Sequence, residues 1–182
     1  DEIIIRVTTA GEKAKAEVVV IELGGTVGEY QNGVFFEASR ILHLRQPKDV
    51  IQVHVTYLPF LKNIGELKSK PAQQSVQRLN GMGIQPDFVV ARSEKPIDQR
   101  RLERLSVFCN LRADEIIGAP DLPSIYEVPL YMDEQKFGEK IMKKLGLKKK
   151  LVAPGLSKWR KFEEAHQKAK KEIKIAMVGK YF

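Results

Sequence analysis

Residues 88–110 read FVVARSEKPIDQRRLERLSVFCN. The stretch opens on a short valine-rich run, 88–92, which suits a strand buried on both faces of a parallel sheet. The period then changes. Over PIDQRRLERLSVFCN, residues Leu102, Leu105, Phe108 and Cys109 fall together on one helical stripe. Another apolar run follows at 115–118. A strand, an amphipathic helix and a second strand make the unit of an α/β protein.

The same alternation extends in both directions. Apolar runs at 18–22, 50–57 and 174–178 read as further strands. FFEASRILHL puts Phe36, Ile41 and Leu44 near one helical face, and PAQQSVQRLNGMG begins at Pro71, a residue suited to a first helical turn. The expected fold is therefore α/β, a mostly parallel sheet flanked by helices. A charge run and a Pro-Gly pair in GLKKKLVAPGLS (146–157) mark a boundary. Beyond it lies an amphipathic stretch carrying Leu156, Trp159, Phe162 and Ala169, and IKIAMVGKYF then reads as the first strand of a new unit. The start of the chain carries no helix cap. We expect an interior piece of a longer protein: part of one domain over 1–146, a linker with an amphipathic helix over 147–172, and the start of a second domain at 173–182.

Composition narrows the class. The chain has 182 residues, 43% of them apolar, enough for a real core. It has no apolar run of membrane-spanning length, a single cysteine and three scattered histidines, so neither an internal disulfide nor a zinc motif is available. These features suggest a cytoplasmic protein. The net charge of +8 is unevenly placed. Residues 1–135 carry 16 Lys/Arg against 19 Asp/Glu, whereas 136–174 carry 14 against 4. Lysine-rich helices without interleaved aromatics are more often solvated faces than nucleic-acid grips, so a basic nucleic-acid-binding fragment is the lesser reading.

Two constellations point to a ligand. VVVIELGGTVGEY (18–30) ends an apolar run on Glu22, followed by Gly24, Gly25 and Gly28. An acid at the carboxyl end of a parallel strand sits where such sheets bind ligands, and Mg²⁺ on nucleotide phosphates takes few protein ligands. The competing reading is an acid that caps a loop or pairs with a lysine. In GELKSKPAQQS (65–75), Lys68 and Lys70 directly precede the helix expected at Pro71, with Gln73 in its first turn. Cations oppose a helix N-terminus unless an anion is shared among them, so a phosphate site is favoured over two solvated lysines. Arg92 ends its strand on the same edge, where a surface ion pair would explain it equally well. Cys109 reads as an inert core residue and His54, in alternation with Val53 and Val55, as a hydrogen-bonded structural histidine.

Several longer motifs occur together: IELGGTVGEYQ, KSKPAQQSV, GIQPDFVVARSEKPI, FCNLRADEII, PDLPSIYEVPL and IAMVGKY. In this order and at this spacing they resemble the CTP synthase family, over nearly the whole chain from Val18. The resemblance implies a P-loop, dethiobiotin-synthetase-like synthetase domain, here partial, joined by a linker to a class I glutamine amidotransferase domain. It implies ATP-dependent amination of UTP to CTP with ammonia from glutamine, through a UTP phosphorylated at O4, with Mg²⁺ required.

By the same resemblance, Glu22 would be the metal-binding glutamate. Lys68, Ser69, Lys70, Pro71, Ala72 and Gln73 would bind the triphosphate of UTP, or of CTP as inhibitor. Arg104 stands where the family usually has a lysine for that nucleotide. Glu29, Tyr30 and Gln31 would contact the CTP inhibitor, although the family commonly has an acid at the position of Gln31. Arg92, Pro120, Asp121 and Leu122 would form the adenine side of an ATP site. A homotetramer, with filaments as a further level, is also implied. The family's P-loop, its second metal-binding aspartate and its glutaminase residues find no match in this chain, which alone is expected to be inactive. Another P-loop ATPase or ligase of the dethiobiotin synthetase class is the alternative enzyme, but it gives no reason for KSKPAQQS.

Overall fold

The computed structural model describes residues 1–148, 154–169 and 171–180. Its centre is β4 (Phe88–Ser93), flanked in parallel by β1 (Val53–Leu58) and β5 (Ile116–Pro120) in the order β1-β4-β5. Because β4 is paired on both edges and covered on both faces, its apolar run needs no alternation. On one face Leu58, Val89, Ala91 and Ile116 pack with Ala72 and Val76 of α3 (Lys70–Gly81) and with Leu105 of α4 (Gln99–Phe108). On the other, Val90, Ile117 and Ala119 meet Met132 of α5 (Val128–Glu134) and Phe137 of α6 (Phe137–Lys144). A parallel α/β sheet with helices on both sides bears out the expected fold class.

The strand at 50–57 forms as β1, shifted to begin at Val53. Being an edge strand, it keeps the alternation that β4 loses: His54 and Leu58 are buried, whereas Val53, Val55 and Tyr57 are exposed. A short hairpin of β2 (Phe60–Leu61) and β3 (Glu66–Leu67) follows it. The helix expected over 35–44 is present as α2 (Gly33–Arg45), but it buries Phe36 and Ala38 and leaves Leu44 exposed.

Residues Glu2–Ala14, for which no element was expected, form helix α1, which starts without a side-chain cap, ends on Lys15 in the left-handed region and packs against α2. Two expectations are corrected. Residues 18–22 form no strand, and Val18, Val19, Val20 and Ile21 are all exposed. A strand needs a neighbour to complete its hydrogen bonds, and among the described residues none pairs with this run. The run at 174–178 likewise carries no strand, with Ile175, Met177 and Val178 exposed. Within the expected linker, α7 (Pro154–Lys168) is helical, with Glu163 facing inward. Residues 149–153 and 170 of that linker, and 181–182 beyond it, lie outside the described residues. No described helix is long and apolar enough to cross a membrane.

Candidate functional site

Two segments that leave the carboxyl ends of neighbouring strands converge on one pocket. Past β1 the hairpin returns through Lys68, whose amide donates to Pro59 O at 2.9 Å, and the chain enters α3. Past β4 the chain enters α4. Ser69 precedes α3 and Pro71 lies in its first turn, where the fixed proline φ suits a helix start. The first main-chain bond runs from Gln73 N to Ser69 O at 3.0 Å, and Gln73 Nε2 also donates to Ser69 Oγ at 3.0 Å. The amide of Lys70, which lines the pocket, precedes any helical carbonyl it could reach and so has no partner within the helix.

On the other wall, Asp98 caps α4, its Oδ1 accepting from Arg101 N at 2.9 Å. Arg100 and Arg104, four residues apart, lie on one face of that helix. Between the walls is a pocket of about 520 Å³ lined by Glu66, Leu67, Lys68, Ser69, Lys70, Gln73, Arg100, Arg101, Arg104 and Phe108. Five cationic side chains thus face one carboxylate. The Arg101 guanidinium donates from Nε to Leu67 O at 2.7 Å, pairs through Nη1 with Asp98, and lies 3.3 Å through Nη2 from Glu66 Oε2. It braces β3 to the start of α4. Lys68 Nζ donates to the same Glu66 oxygen at 3.2 Å. That hydrogen bond, with the charges of Lys68 and Arg101, holds the Glu66 carboxyl below the usual carboxylate range. Arg104 lies over the Phe108 ring, 5.9 Å from its centroid.

Of the residues picked out in sequence, Lys68, Ser69, Lys70, Gln73 and Arg104 line this pocket. Pro71 shapes the turn and Ala72 is buried in the core behind it. Glu66, Arg100, Arg101 and Phe108 were missed. Arg100 and Arg101, like the lysines, are cations at a helix start past a parallel strand, which is the signal in sequence that marks them.

A second cluster sits where β4 and β5 end. Arg92 Nη1 donates to Ala119 O at 2.7 Å and Pro120 O at 3.1 Å, and Nη2 to Asp121 Oδ1 at 2.7 Å. Asp121 N donates back to Ser93 O at 2.8 Å, and Leu122 follows, half-buried. Arg92, Pro120 and Asp121 therefore form one clasp, which includes the surface ion pair considered from sequence. Glu29, Tyr30 and Gln31 lie apart from the pocket, at a single helical turn where Tyr30 is exposed. The glycine bend before that turn is constrained: Gly28 has φ +92°, and a Cβ there would lie 2.5 Å from Arg78 Cδ. Glu22 is exposed, and among the described residues no group of three His, Cys, Asp or Glu could hold a metal.

Comparison with known proteins agrees with the motif order. The family described as CTP synthase N-terminus matches residues 1–147. Similar relatives include the CTP synthases of Thermococcus gammatolerans (42% identical over 91% of this chain and 31% of the relative), Caldanaerobacter subterraneus subsp. tengcongensis (40% over 100% and 34%) and Sulfolobus acidocaldarius (41% over 100% and 34%). The chain spans about a third of the length of these relatives. By the extent of the family match and the identity to these relatives, the chain belongs to the CTP synthase family.

Proposed function

We propose that the protein carrying this chain converts UTP to CTP, with ATP and glutamine-derived ammonia, and that the cationic pocket takes the UTP triphosphate. The observation that carries this reading is the convergence of Lys68, Lys70, Arg100 and Arg104 with the start of α3 in a segment of the chain that is acidic as a whole. Such a cluster is costly unless a polyanion is shared among its members. Ser69 Oγ and the Gln73 amide add uncharged hydrogen-bonding groups beside the cations. With the triphosphate so fixed, the uracil ring is oriented for attack of its O4 on the terminal phosphorus of ATP, releasing ADP. Ammonia then adds at C4, and the C4–O bond breaks with phosphate as leaving group. Phosphorylation is needed because a bare carbonyl oxygen leaves poorly.

The adenine side of ATP is assigned to the backbone of Pro120, Asp121 and Leu122, which Arg92 holds in place. Glu22 is a lone exposed carboxylate, which fits Mg²⁺ only as one ligand among phosphate oxygens and waters. Bound there, Mg²⁺ would offset charge on the ATP phosphates. Feedback by CTP is assigned to the shared triphosphate pocket together with Glu29, Tyr30 and Gln31. We also propose the homotetramer as the working assembly, with exposed Val34 and Phe35 of α2 available for a subunit contact.

The test is CTP formation by the full-length protein from UTP, ATP, Mg²⁺ and ammonia, which bypasses glutamine hydrolysis. Lys68→Ala is expected to raise KM for UTP by about ten- to a hundredfold, the worth of a charge-assisted hydrogen bond. Glu22→Ala is expected to raise the Mg²⁺ requirement and leave UTP binding intact. If the parent makes no CTP, the reading is wrong. If Glu22→Ala keeps full activity at limiting Mg²⁺, the metal is held elsewhere.

A further inference from the structure

Glu66 is the one carboxylate in an otherwise cationic lining. Its Oε2 accepts from Lys68 Nζ at 3.2 Å and lies 3.3 Å from Arg101 Nη2, so one oxygen stands between cations from opposite walls of the pocket. We propose that Glu66 is a built-in stand-in for the ligand's anion, holding the seat of a phosphate oxygen between Lys68 and Arg101 in the empty pocket and giving it up when a polyphosphate enters. This rests on the triphosphate reading of the pocket.

The local structure suits an anion that must leave. Glu66 belongs to a strand of only two residues, directly after Gly65 at φ +66°, and its side chain is 53% exposed. A rotamer change carries the carboxylate into water without disturbing the parallel sheet. Arg101 does not follow, because Leu67 O and Asp98 hold its other nitrogens. Lys68 has no such second anchor, so it passes from carboxylate to ligand. The hydrogen bond from Lys68 lowers the Glu66 carboxyl below its ordinary value, in keeping with the ionised form that the role requires. Lys70, Arg100 and Arg104 make no ion pair with a described carboxylate and are open to the ligand from the outset. The device has a definite consequence. Every polyphosphate must first break an existing pair, so affinity is lower than the bare cation cluster would give, while the empty pocket is spared part of its charge repulsion.

The experiment titrates inorganic triphosphate, and separately UTP, into the intact protein by calorimetry, for the parent, Glu66→Gln, Lys68→Ala and the double variant. Glu66→Gln is expected to tighten triphosphate binding about three- to fivefold, the scale of an exposed ion pair removed from competition. In the Lys68→Ala background the same substitution should change affinity by less than about twofold, because half of the pair is already gone. Glu66→Asp, which keeps the charge but cannot span both cations, should give a smaller gain and serves if the glutamine variant folds poorly. Unchanged or weaker binding in Glu66→Gln and Glu66→Asp, with the parent binding normally, overturns the stand-in role and leaves the pocket reading intact. No triphosphate binding by the parent would overturn both.

Discussion

His54 points inward from β1 and meets Ser75 of α3, with Nε2 and Oγ 2.9 Å apart. Burial without a nearby anion disfavours its charged form, so its pKa lies below the ordinary 6.5. An unfolded chain therefore binds a proton at this site before the folded one does. Its contribution to stability is complete above pH 6.5 and is lost as pH falls from there through the lowered folded value. Urea midpoints measured at pH 7.5 and pH 5.0 should differ more in the parent than in His54→Gln; equal differences would mean that other groups set the acid sensitivity. Cys109 follows the same physics with the opposite sign. Burial raises its thiol to about 11, which keeps it neutral and unreactive as its place on the apolar stripe suggested. Arg104 differs again, since its planar guanidinium over Phe108 makes a contact that a lysine in its place would make less well.

At the scale of elements, α4 does two jobs with two faces. Leu105 is fully buried in the cluster shared with β4 and α3, whereas Arg100 and Arg104 look into the pocket. Leu105→Ala is expected to cost about 2–5 kcal/mol in chemical denaturation, with little change in the dependence on denaturant. A cost below about 1 kcal/mol would mean that the helix is held by its polar face rather than its core. The elements legible in sequence were those with dense, one-sided or two-sided burial: β4, β5, α3 and α4. Helix α1 was not, because Ile3, Ile4, Ile5, Val7, Thr8 and Thr9 are β-branched and read against a helix, and only Ile4 of them is buried. The run at 18–22 shows the converse. Its residues favour a strand, but a strand forms only beside a partner. The pocket was half legible for a related reason. Lys68 to Gln73 declare themselves through local helix-start chemistry, while Glu66 acquires meaning only when β3 and α4 meet in space.

At the scale of the whole molecule, the overall charge points away from the pocket. The surplus of Lys/Arg lies at 136–174, whereas the cations that converge lie within the acidic 1–135. Nucleotide binding should therefore survive neutralisation of the lysines at 136–174 and weaken about ten- to a hundredfold with Lys68→Ala. Binding and turnover should also separate. The chain spans about a third of its relatives' length, its sequence contains no GxxxxGK[ST] phosphate loop, and the described residues offer Glu22 as an isolated carboxylate for a metal. The cationic pocket, in contrast, is lined wholly by residues within 66–108. These 182 residues alone should thus retain UTP in equilibrium dialysis, with affinity falling as salt is raised, and form no CTP from UTP, ATP, Mg²⁺ and ammonia. CTP formation by this chain alone would mean that residues within these 182 hold the ATP phosphates without a GxxxxGK[ST] loop. Loss of UTP binding together with turnover would mean that the pocket needs a further wall from elsewhere in the protein, and that five converging cations are not by themselves a nucleotide site.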